Sequence, residues 1–190
     1  YSDEKSLKKP AWFKVPIPSG ENFISLKNRV QKLNLSSVCE ESKCPNIAEC
    51  WNHKTATLMV MGNVCTRACK FCAVDTGNPN GWLDEDEPKN IADTIAFMSL
   101  EYVVLTSVDR DDLSDGGSSH IARCVDASKT LSPDLIIEVL SPDFKGNIDH
   151  LDILLSSGLD VFSQNIETVE RLTSSVRDPR AGYDQTLRML

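Results

Sequence analysis

Six of the seven cysteines of this chain lie between positions 39 and 72, in two groups of three with different spacing. The first group is Cys39, Cys44 and Cys50, and the second is Cys65, Cys69 and Cys72. Cysteine thiolates are the usual protein ligands of iron–sulfur clusters, and three of them fill three of the four iron sites of a cubane. The iron that lacks a thiolate is open to another ligand. Two such groups therefore predict two 4Fe-4S clusters, which are typical of a redox enzyme.

The composition excludes several other classes of protein. The chain has 190 residues, of which 41% are hydrophobic and 25% charged, as in a soluble globular domain with appendages. The net charge of −8 argues against a nucleic-acid-binding protein, which normally has a basic face. No apolar run approaches the roughly 20 residues that span a bilayer. An odd number of cysteines in tight groups fits a disulfide framework poorly and a reducing cytoplasm well.

The chain divides into three parts. Residues 1–35 form a proline-containing arm and then a short amphipathic helix, in which apolar residues recur at helical spacing from Phe23 to Leu33. Residues 36–55 carry the first cysteine group and show little periodicity. We expect the geometry of the cysteine ligands, rather than a hydrophobic core, to shape this second part. Residues 56–190 form the third part.

Strands and helices alternate in the third part. The predicted strands lie at 56–61, 103–107, 136–141 and 161–166. Helical patterns fill the intervals, and a further one covers residues 183–190. Alternation of this kind predicts parallel βαβ units. The expected fold class is α/β, a partial (β/α) barrel with about four parallel strands.

Polar residues stand where the predicted strands end, which is where parallel α/β sheets hold their functional residues. The second cysteine group follows the first strand directly. Thr106 and Ser107 end the second strand, and Asn165 lies at the end of the fourth. After the second strand, an acidic loop leads to Gly116-Gly117. We expect Ser114 or Asp115 in this loop to cap the next helix.

The spacing Cys65-x3-Cys69-x2-Cys72, with Phe71 before the last cysteine, resembles the cluster motif of the radical S-adenosylmethionine superfamily. The resemblance implies that the amino and carboxylate groups of S-adenosylmethionine bind the fourth iron. It also implies reductive cleavage of this cosubstrate to a 5′-deoxyadenosyl radical. On spacing alone, a zinc site or buried thiols are alternatives.

The strings CEESKCPNIAECW, CTRACKFC, TSVDRDDLSDGG and IEVLSPDF are similar to those of lipoyl synthase, from about residue 10 to the end of the chain. The resemblance implies a sulfurtransferase that inserts two sulfur atoms at C6 and C8 of a protein-bound octanoyl group. The cluster on Cys39, Cys44 and Cys50 would be the sacrificed sulfur source. A zinc knuckle that uses His53, a two-cluster ferredoxin-type electron carrier and a biotin synthase-like enzyme remain alternatives.

The resemblance also implies which residues meet the cosubstrate. Phe71, Thr106, Ser107 and Asn165 are candidates, and Gly116-Gly117 would let the backbone approach it. Glu138 lies within an apolar strand, where an unpaired carboxylate is costly, so we predict that it points inward and binds ribose hydroxyls. A structural ion pair is the alternative for Glu138. Ser163-Gln164 stands where the family places Asn-His.

The resemblance implies partners as well. These are octanoylated lipoyl carrier proteins, either the H protein or the lipoyl domains of 2-oxoacid dehydrogenases, and a reducing ferredoxin or flavodoxin. The short gap between Trp51 and Thr55 lacks an insertion of organellar members, which favours a bacterial cytoplasm. The chain shows fewer predicted strands than the superfamily's barrel and no Arg-Ser-Ser-Tyr motif for the serine ligand of the auxiliary cluster. These two features predict a fragment of a longer protein.

Overall fold

Strands of the main sheet run parallel, except at one edge. The computed structural model describes residues 17–33, 35–41 and 44–190, so the predicted arm over residues 1–16 lies outside the described residues. The sheet contains, in spatial order, β1 (Ser36–Ser37), β2 (Thr55–Val60), β5 (Tyr102–Ser107), β6 (Ile136–Leu140) and β7 (Val161–Ser163). β1 is antiparallel to β2, and the other neighbours are parallel. A second, two-stranded sheet pairs β3 (Val64–Cys65) with β4 (Asp75–Thr76).

Helices precede, separate and follow the strands of the main sheet. They are α1 (Glu21–Lys32), α2 (Val38–Glu41), α3 (Ile47–Asn52), α4 (Glu87–Met98), α5 (Ser118–Leu131), α6 (Ile148–Leu155), α7 (Glu170–Val176) and α8 (Tyr183–Met189). The four predicted parallel strands and the predicted helices are therefore confirmed, although the fourth strand ends at Ser163 instead of residue 166. The sequence did not predict β1, β3, β4, α2, α3 or α7. The fold is α/β with a mostly parallel sheet, consistent with a partial β/α barrel. Among the described residues, no helix has the length and apolar character that crossing a membrane requires.

The hydrophobic core lies between one face of the sheet and the helices that cover it. Alternate residues of β5 and β6, namely Val103, Leu105, Ile137 and Val139, have no solvent exposure. The helix residues of the same core include Ile91, Ile95, Ile121, Cys124 and Val125. Cys124 is therefore a small core residue, as its place on the apolar stripe of α5 predicts. Because one face is filled this way, the carboxyl ends of the strands are held in fixed register.

The segment that carries the first cysteine group packs into the same hydrophobic core through α1 and α3. Trp51 in α3 is fully buried, and its ring lies 5.4 Å from the ring of Phe23 in α1. Asn52 joins the two helices further, because its Oδ1 accepts a hydrogen bond from the Phe23 amide at 3.2 Å. Ile47 of α3 is also buried. The expectation that ligand geometry alone shapes residues 36–55 was therefore wrong, because apolar burial fixes α3 against α1.

The acidic loop after β5 ends in a helix cap. Asp115 accepts hydrogen bonds from the amides of Gly117 and Ser119, both at 2.9 Å, which confirms the predicted capping role. Partial burial alone would raise the pKa of Asp115, but these amide hydrogen bonds lower it. The glycines have left-handed backbones, and a Cβ on Gly117 would lie 2.2 Å from Met61 Sδ. Gly117 thus allows close packing of Met61 in this structure.

Candidate active site

The second cysteine group occupies the loop that follows β2, at the carboxyl edge of the parallel sheet. Cys65 lies in β3, and the Cys72 amide donates to the Cys69 carbonyl at 3.1 Å. Backbone amides also donate to two sulfurs, from Arg67 to Cys65 Sγ at 3.4 Å and from Asp178 to Cys69 Sγ at 3.3 Å. Burial raises the pKa of Cys65 and of Cys69, so both are protonated at neutral pH until a metal displaces the proton.

All three thiols of this group line one cavity of about 280 Å³. The wall also contains four residues that the sequence predicted, namely Phe71, Thr106, Ser107 and Asn165. The rest of the wall is partly apolar, with Met59, Val74 and Val38 among its residues, and partly charged, with Arg67, Asp109, Glu167 and Arg177. Val38 directly precedes Cys39, so the cavity lies between the second cysteine group and the segment that carries the first.

A smaller polar cavity of about 130 Å³ shares part of this wall, including Thr106, Ser107 and Asn165. Three buried polar atoms around it have no hydrogen-bond partner within the described part of the chain. They are Ser107 Oγ, Gln164 Oε1 and Arg177 Nε. Buried polar atoms are nearly always paired, so these three are available to a ligand. Gln164, at a position where the family has histidine, and Arg177 were not predicted as site residues.

Glu138 lies away from these two cavities. Its carboxylate accepts hydrogen bonds from the Tyr102 hydroxyl and, at 2.7 Å, from Ser163 Oγ. Among the described residues, hydroxyl groups rather than a cation therefore accompany this half-buried carboxylate. The hydrogen bond to Glu138 is the first cause of the raised pKa of Tyr102. These contacts suit a structural role, and the predicted ribose contact of Glu138 stays a prediction.

The loop after β2 carries Cys65, Cys69 and Cys72, and we call it the cluster loop. A buried arginine holds it against the neighbouring loops. Arg67 has 3% exposure and forms ion pairs with Asp111 at 2.9 Å, Asp143 at 2.8 Å and Asp109 at 3.3 Å. Burial alone would lower the pKa of Arg67, but its hydrogen bonds with Asp111 and Asp143 raise it. Burial raises the pKa of Asp109 to about 6 despite the neighbouring guanidinium. Arg67 thereby connects the loop after β2 with the loops after β5 and β6.

A second anchor comes from the segment between α7 and α8. Asp178 accepts a hydrogen bond from the Ala68 amide at 3.0 Å, and Arg180 donates to the Thr66 carbonyl at 2.6 Å. Arg180 also binds Asp178 at 2.8 Å, and this contact holds the pKa of Asp178 well below its usual range. Sequence reasoning missed Arg67 and Asp178 as site residues. No local pattern marks them, because their partners lie up to 110 positions away.

The first cysteine group also comes together. Cys39 lies on α2 and Cys50 on α3, and the Cys44 amide donates to the Cys39 carbonyl at 3.0 Å. Burial raises the pKa of the Cys50 thiol, and the neighbouring Cys39 and Cys44 raise it further. His53, the fourth ligand of the alternative zinc knuckle, is exposed at the end of α3.

Comparison with known proteins decides between the alternatives. Residues 59–190 match the model of the Radical SAM superfamily. This chain belongs to the radical SAM superfamily. Residues 2–44 match the model of the N-terminal domain of lipoyl synthase. The resemblance to lipoyl synthase is confirmed, and neither a ferredoxin-type carrier nor a biotin synthase-like enzyme is favoured.

Curated relatives agree with these two matches. The chain is 57% identical to a lipoyl synthase of Marinobacter nauticus over 190 residues, which are 100% of this chain and 55% of that protein. It is 58% identical to one of Ectopseudomonas mendocina over 182 residues, covering 96% of this chain and 52% of that protein. One from Legionella pneumophila is 57% identical over 188 residues, covering 99% and 57%. This radical SAM chain thus spans about half the length of the curated relatives it matches.

Proposed function

We propose that this protein is a lipoyl synthase-type radical enzyme, which inserts two sulfur atoms at C6 and C8 of a protein-bound octanoyl group. One observation carries the proposal. The cavity lined by Cys65, Cys69 and Cys72 is bounded on another side by Val38, next to Cys39 of the first group. A substrate in this cavity would lie between the two predicted cluster sites. Apolar residues on the wall suit an alkyl chain.

The residues of the site fit the groups that such a reaction needs. Each cysteine group offers three thiols, which suit a 4Fe-4S cluster with one iron left for another ligand. The unpaired Ser107 Oγ, Gln164 Oε1 and Arg177 Nε suit a polar cosubstrate such as S-adenosylmethionine. When bound, the clusters would supply the electron that cleaves S-adenosylmethionine and the sulfur that enters the octanoyl chain.

The chain's own residues would then bind and orient the reducing cluster and the cosubstrate, and shield them from solvent. Cys65, Cys69 and Cys72 would hold the reducing cluster, and Arg67 would keep their loop against the sheet. Thr106, Ser107 and Asn165 would contact the cosubstrate, with Phe71 beside Cys72. We propose that Arg177 binds the carboxylate of the cosubstrate, because Arg177 lines both cavities and its Nε has no partner among the described residues.

In the first cysteine group, Cys39, Cys44 and Cys50 would hold the sulfur-donating cluster. The division into residues 1–35, 36–55 and 56–190 is part of the proposal, with the middle part serving this auxiliary cluster.

Partners and compartment follow from the same proposal. Octanoylated carriers, namely the H protein or the lipoyl domains of 2-oxoacid dehydrogenases, would be the substrates. A reducing ferredoxin or flavodoxin would deliver electrons. The bacterial origin of the relatives at 57–58% identity supports a bacterial cytoplasm.

The test is anaerobic reconstitution followed by measurement of iron, sulfide and 5′-deoxyadenosine. We expect about eight irons in the wild type, which is the content of two cubanes. Cys65→Ala should bind about half of that iron and form no 5′-deoxyadenosine from S-adenosylmethionine. Cys44→Ala should also bind about half, yet still cleave S-adenosylmethionine.

The matched control is Cys124→Ala, which removes the seventh, buried cysteine outside both groups. It should retain the iron content of the wild type. Stoichiometric zinc without iron in anaerobically prepared protein would contradict the proposed function.

A further inference from the structure

The residue between β2 and the cluster loop has an unfavourable backbone conformation. Met61 has φ 67°, in the left-handed region that a side chain with a Cβ rarely adopts. Gly62, the next residue, has φ 78°. Such a conformation persists at a non-glycine residue only when its surroundings hold it in place. Met61 has 3% exposure, so those surroundings are the protein interior.

Three contacts hold Met61: one at its amide, one at its carbonyl and one at its side chain. Its amide donates to Glu87 Oε2 at 2.8 Å. Its carbonyl accepts a hydrogen bond from Arg110 Nη1 at 3.3 Å. Its side chain lies over Gly117, where a Cβ would come within 2.2 Å of the Met61 sulfur. The shortest hydrogen bond of the set is therefore made by a buried carboxylate from the first turn of α4.

His120 holds that carboxylate in position. His120 Nε2 lies 2.6 Å from Glu87 Oε2, with 1% and 7% exposure of the two side chains. Arg123 Nη2 lies 3.0 Å from His120 Nδ1. An arginine can only donate, so Nδ1 is the acceptor and the ring hydrogen lies on Nε2, from where it is donated to Glu87. Arg123 thus selects the tautomer of His120 that orients Glu87.

The same residues could be considered as a metal site, because ligand atoms of Glu87, His120 and Cys124 lie within 4.8 Å of one another. The contacts favour hydrogen bonding instead. Glu87 Oε2 already accepts hydrogen bonds from both the Met61 amide and His120 Nε2. Burial raises the pKa of Cys124, which keeps its thiol protonated. Glu87 and His120 therefore form a hydrogen-bonded pair that holds the Met61 amide, and we call this pair the clamp.

The loop that begins at Met61 reaches both cysteine groups. Asn63 Nδ2 lies 3.5 Å from Glu41 Oε1, two residues after Cys39. Cys65, the first member of the second group, follows Asn63 by two positions. The backbone direction at Met61 therefore affects where Cys65 lies relative to the first group.

We propose that Glu87, oriented by His120, is a positioning residue that fixes the Met61 amide and thereby places Cys65 in the cavity. The consequence for catalysis rests on the proposed function, whereas the clamp itself does not. Glu87→Ala removes the acceptor, and Glu87→Gln retains one side-chain oxygen. Thr94→Val is the matched control, because Thr94 is a fully buried polar residue of the same helix that hydrogen-bonds only to Asn90 among the described residues.

The experiment measures hydrogen exchange of peptides spanning residues 58–66 in the full, anaerobically reconstituted chain. In Glu87→Ala the Met61 amide should exchange at least about tenfold faster, which corresponds to about 1.4 kcal/mol. Glu87→Gln should lie close to the wild type, and Thr94→Val should not differ from it. Exchange in Glu87→Ala that equals the wild type or the control would overturn the proposal. If Glu87→Ala does not fold, His120→Phe must accelerate exchange of the same amide, and failure to do so overturns it.

A spectroscopic readout separates the clamp from the proposed function. The electron paramagnetic resonance spectrum of the reduced protein is recorded with and without S-adenosylmethionine. The wild type and Thr94→Val should respond to the cosubstrate, and Glu87→Ala should respond weakly. A wild type that does not respond would refute the proposed function, while the exchange data would still decide the clamp. If the wild type binds one equivalent of zinc and Cys124→Ala binds none, then Glu87, His120 and Cys124 form a metal site. That result would overturn the clamp.

Discussion

Substitution of Asp112 by Asn should destabilise the chain in a pH-dependent way. Asp112 accepts two hydrogen bonds at 2.8 Å from the buried guanidinium of Arg110 and one from the Gly81 amide at 2.8 Å. The hydrogen bonds from Arg110 lower the pKa of Asp112 from 3.8 to about 2, against a smaller opposing effect of burial. That lowering corresponds to roughly 2 kcal/mol of stabilisation by the charged form.

The loss at neutral pH should be at least that large, because the change also leaves a fully buried guanidinium without its counter-ion. Removing one partner of a buried ion pair typically costs about 3–5 kcal/mol. Arg110 still donates to the carbonyls of Met61 and Trp82, which reduces the cost. We therefore expect Asp112→Asn to lower the free energy of unfolding by about 2–4 kcal/mol at pH 7.

The pH dependence follows from the direction of the shift. A carboxyl with a lowered folded-state pKa stabilises the protein fully above its unfolded-state pKa of 3.8, and this contribution is lost as the pH falls towards 2. The difference between wild type and Asp112→Asn should therefore be constant from pH 7 to pH 5. It should then shrink between pH 4 and pH 2.

Urea unfolding followed by circular dichroism at several pH values measures this difference. Asp126→Asn, at an exposed position of α5, is the control and should change stability by less than about 0.5 kcal/mol. The reasoning would be refuted by a difference below that value at pH 7. A difference that stays unchanged down to pH 2.5 would refute it as well.

Three further substitutions test the core, the glycine turn and the predicted ribose contact. Trp51→Ala should lower the free energy of unfolding by about 3–5 kcal/mol, measured in urea, because it empties the contact between α3 and α1. Gly117→Ala should cost about 1–3 kcal/mol in the same assay, since a Cβ meets Met61 Sδ and φ is 90°. Glu138→Gln should weaken binding of S-adenosylmethionine by about 1–3 kcal/mol in calorimetry if the carboxylate binds ribose. If the affinity is unchanged and the thermal midpoint falls, the role of Glu138 is structural, through its hydrogen bonds with Tyr102 and Ser163.

Short-range patterns in the sequence were sufficient for α1, for the four parallel strands with the helices between them, and for the superfamily. Apolar residues at helical spacing, from Phe23 to Val30, predicted α1, and short β-prone runs predicted the four parallel strands. Periodicity works here because each pattern reports which side of one element is buried. Cysteine spacing indicated the superfamily for the same kind of reason, since Cys65, Cys69 and Cys72 lie in one short segment of the chain.

Contacts between distant parts of the chain were decided only by the tertiary structure. Arg67 reads as an ordinary polar residue of the cluster loop, and its ion pair with Asp143 spans 76 positions. Asp178 reaches the Ala68 amide across 110 positions. Met61 reads as the end of an apolar strand, and its left-handed backbone depends on Glu87 and Arg110 from other elements. Local composition carries no record of such contacts, because the partners meet only once the parallel strands have brought their carboxyl ends to one edge.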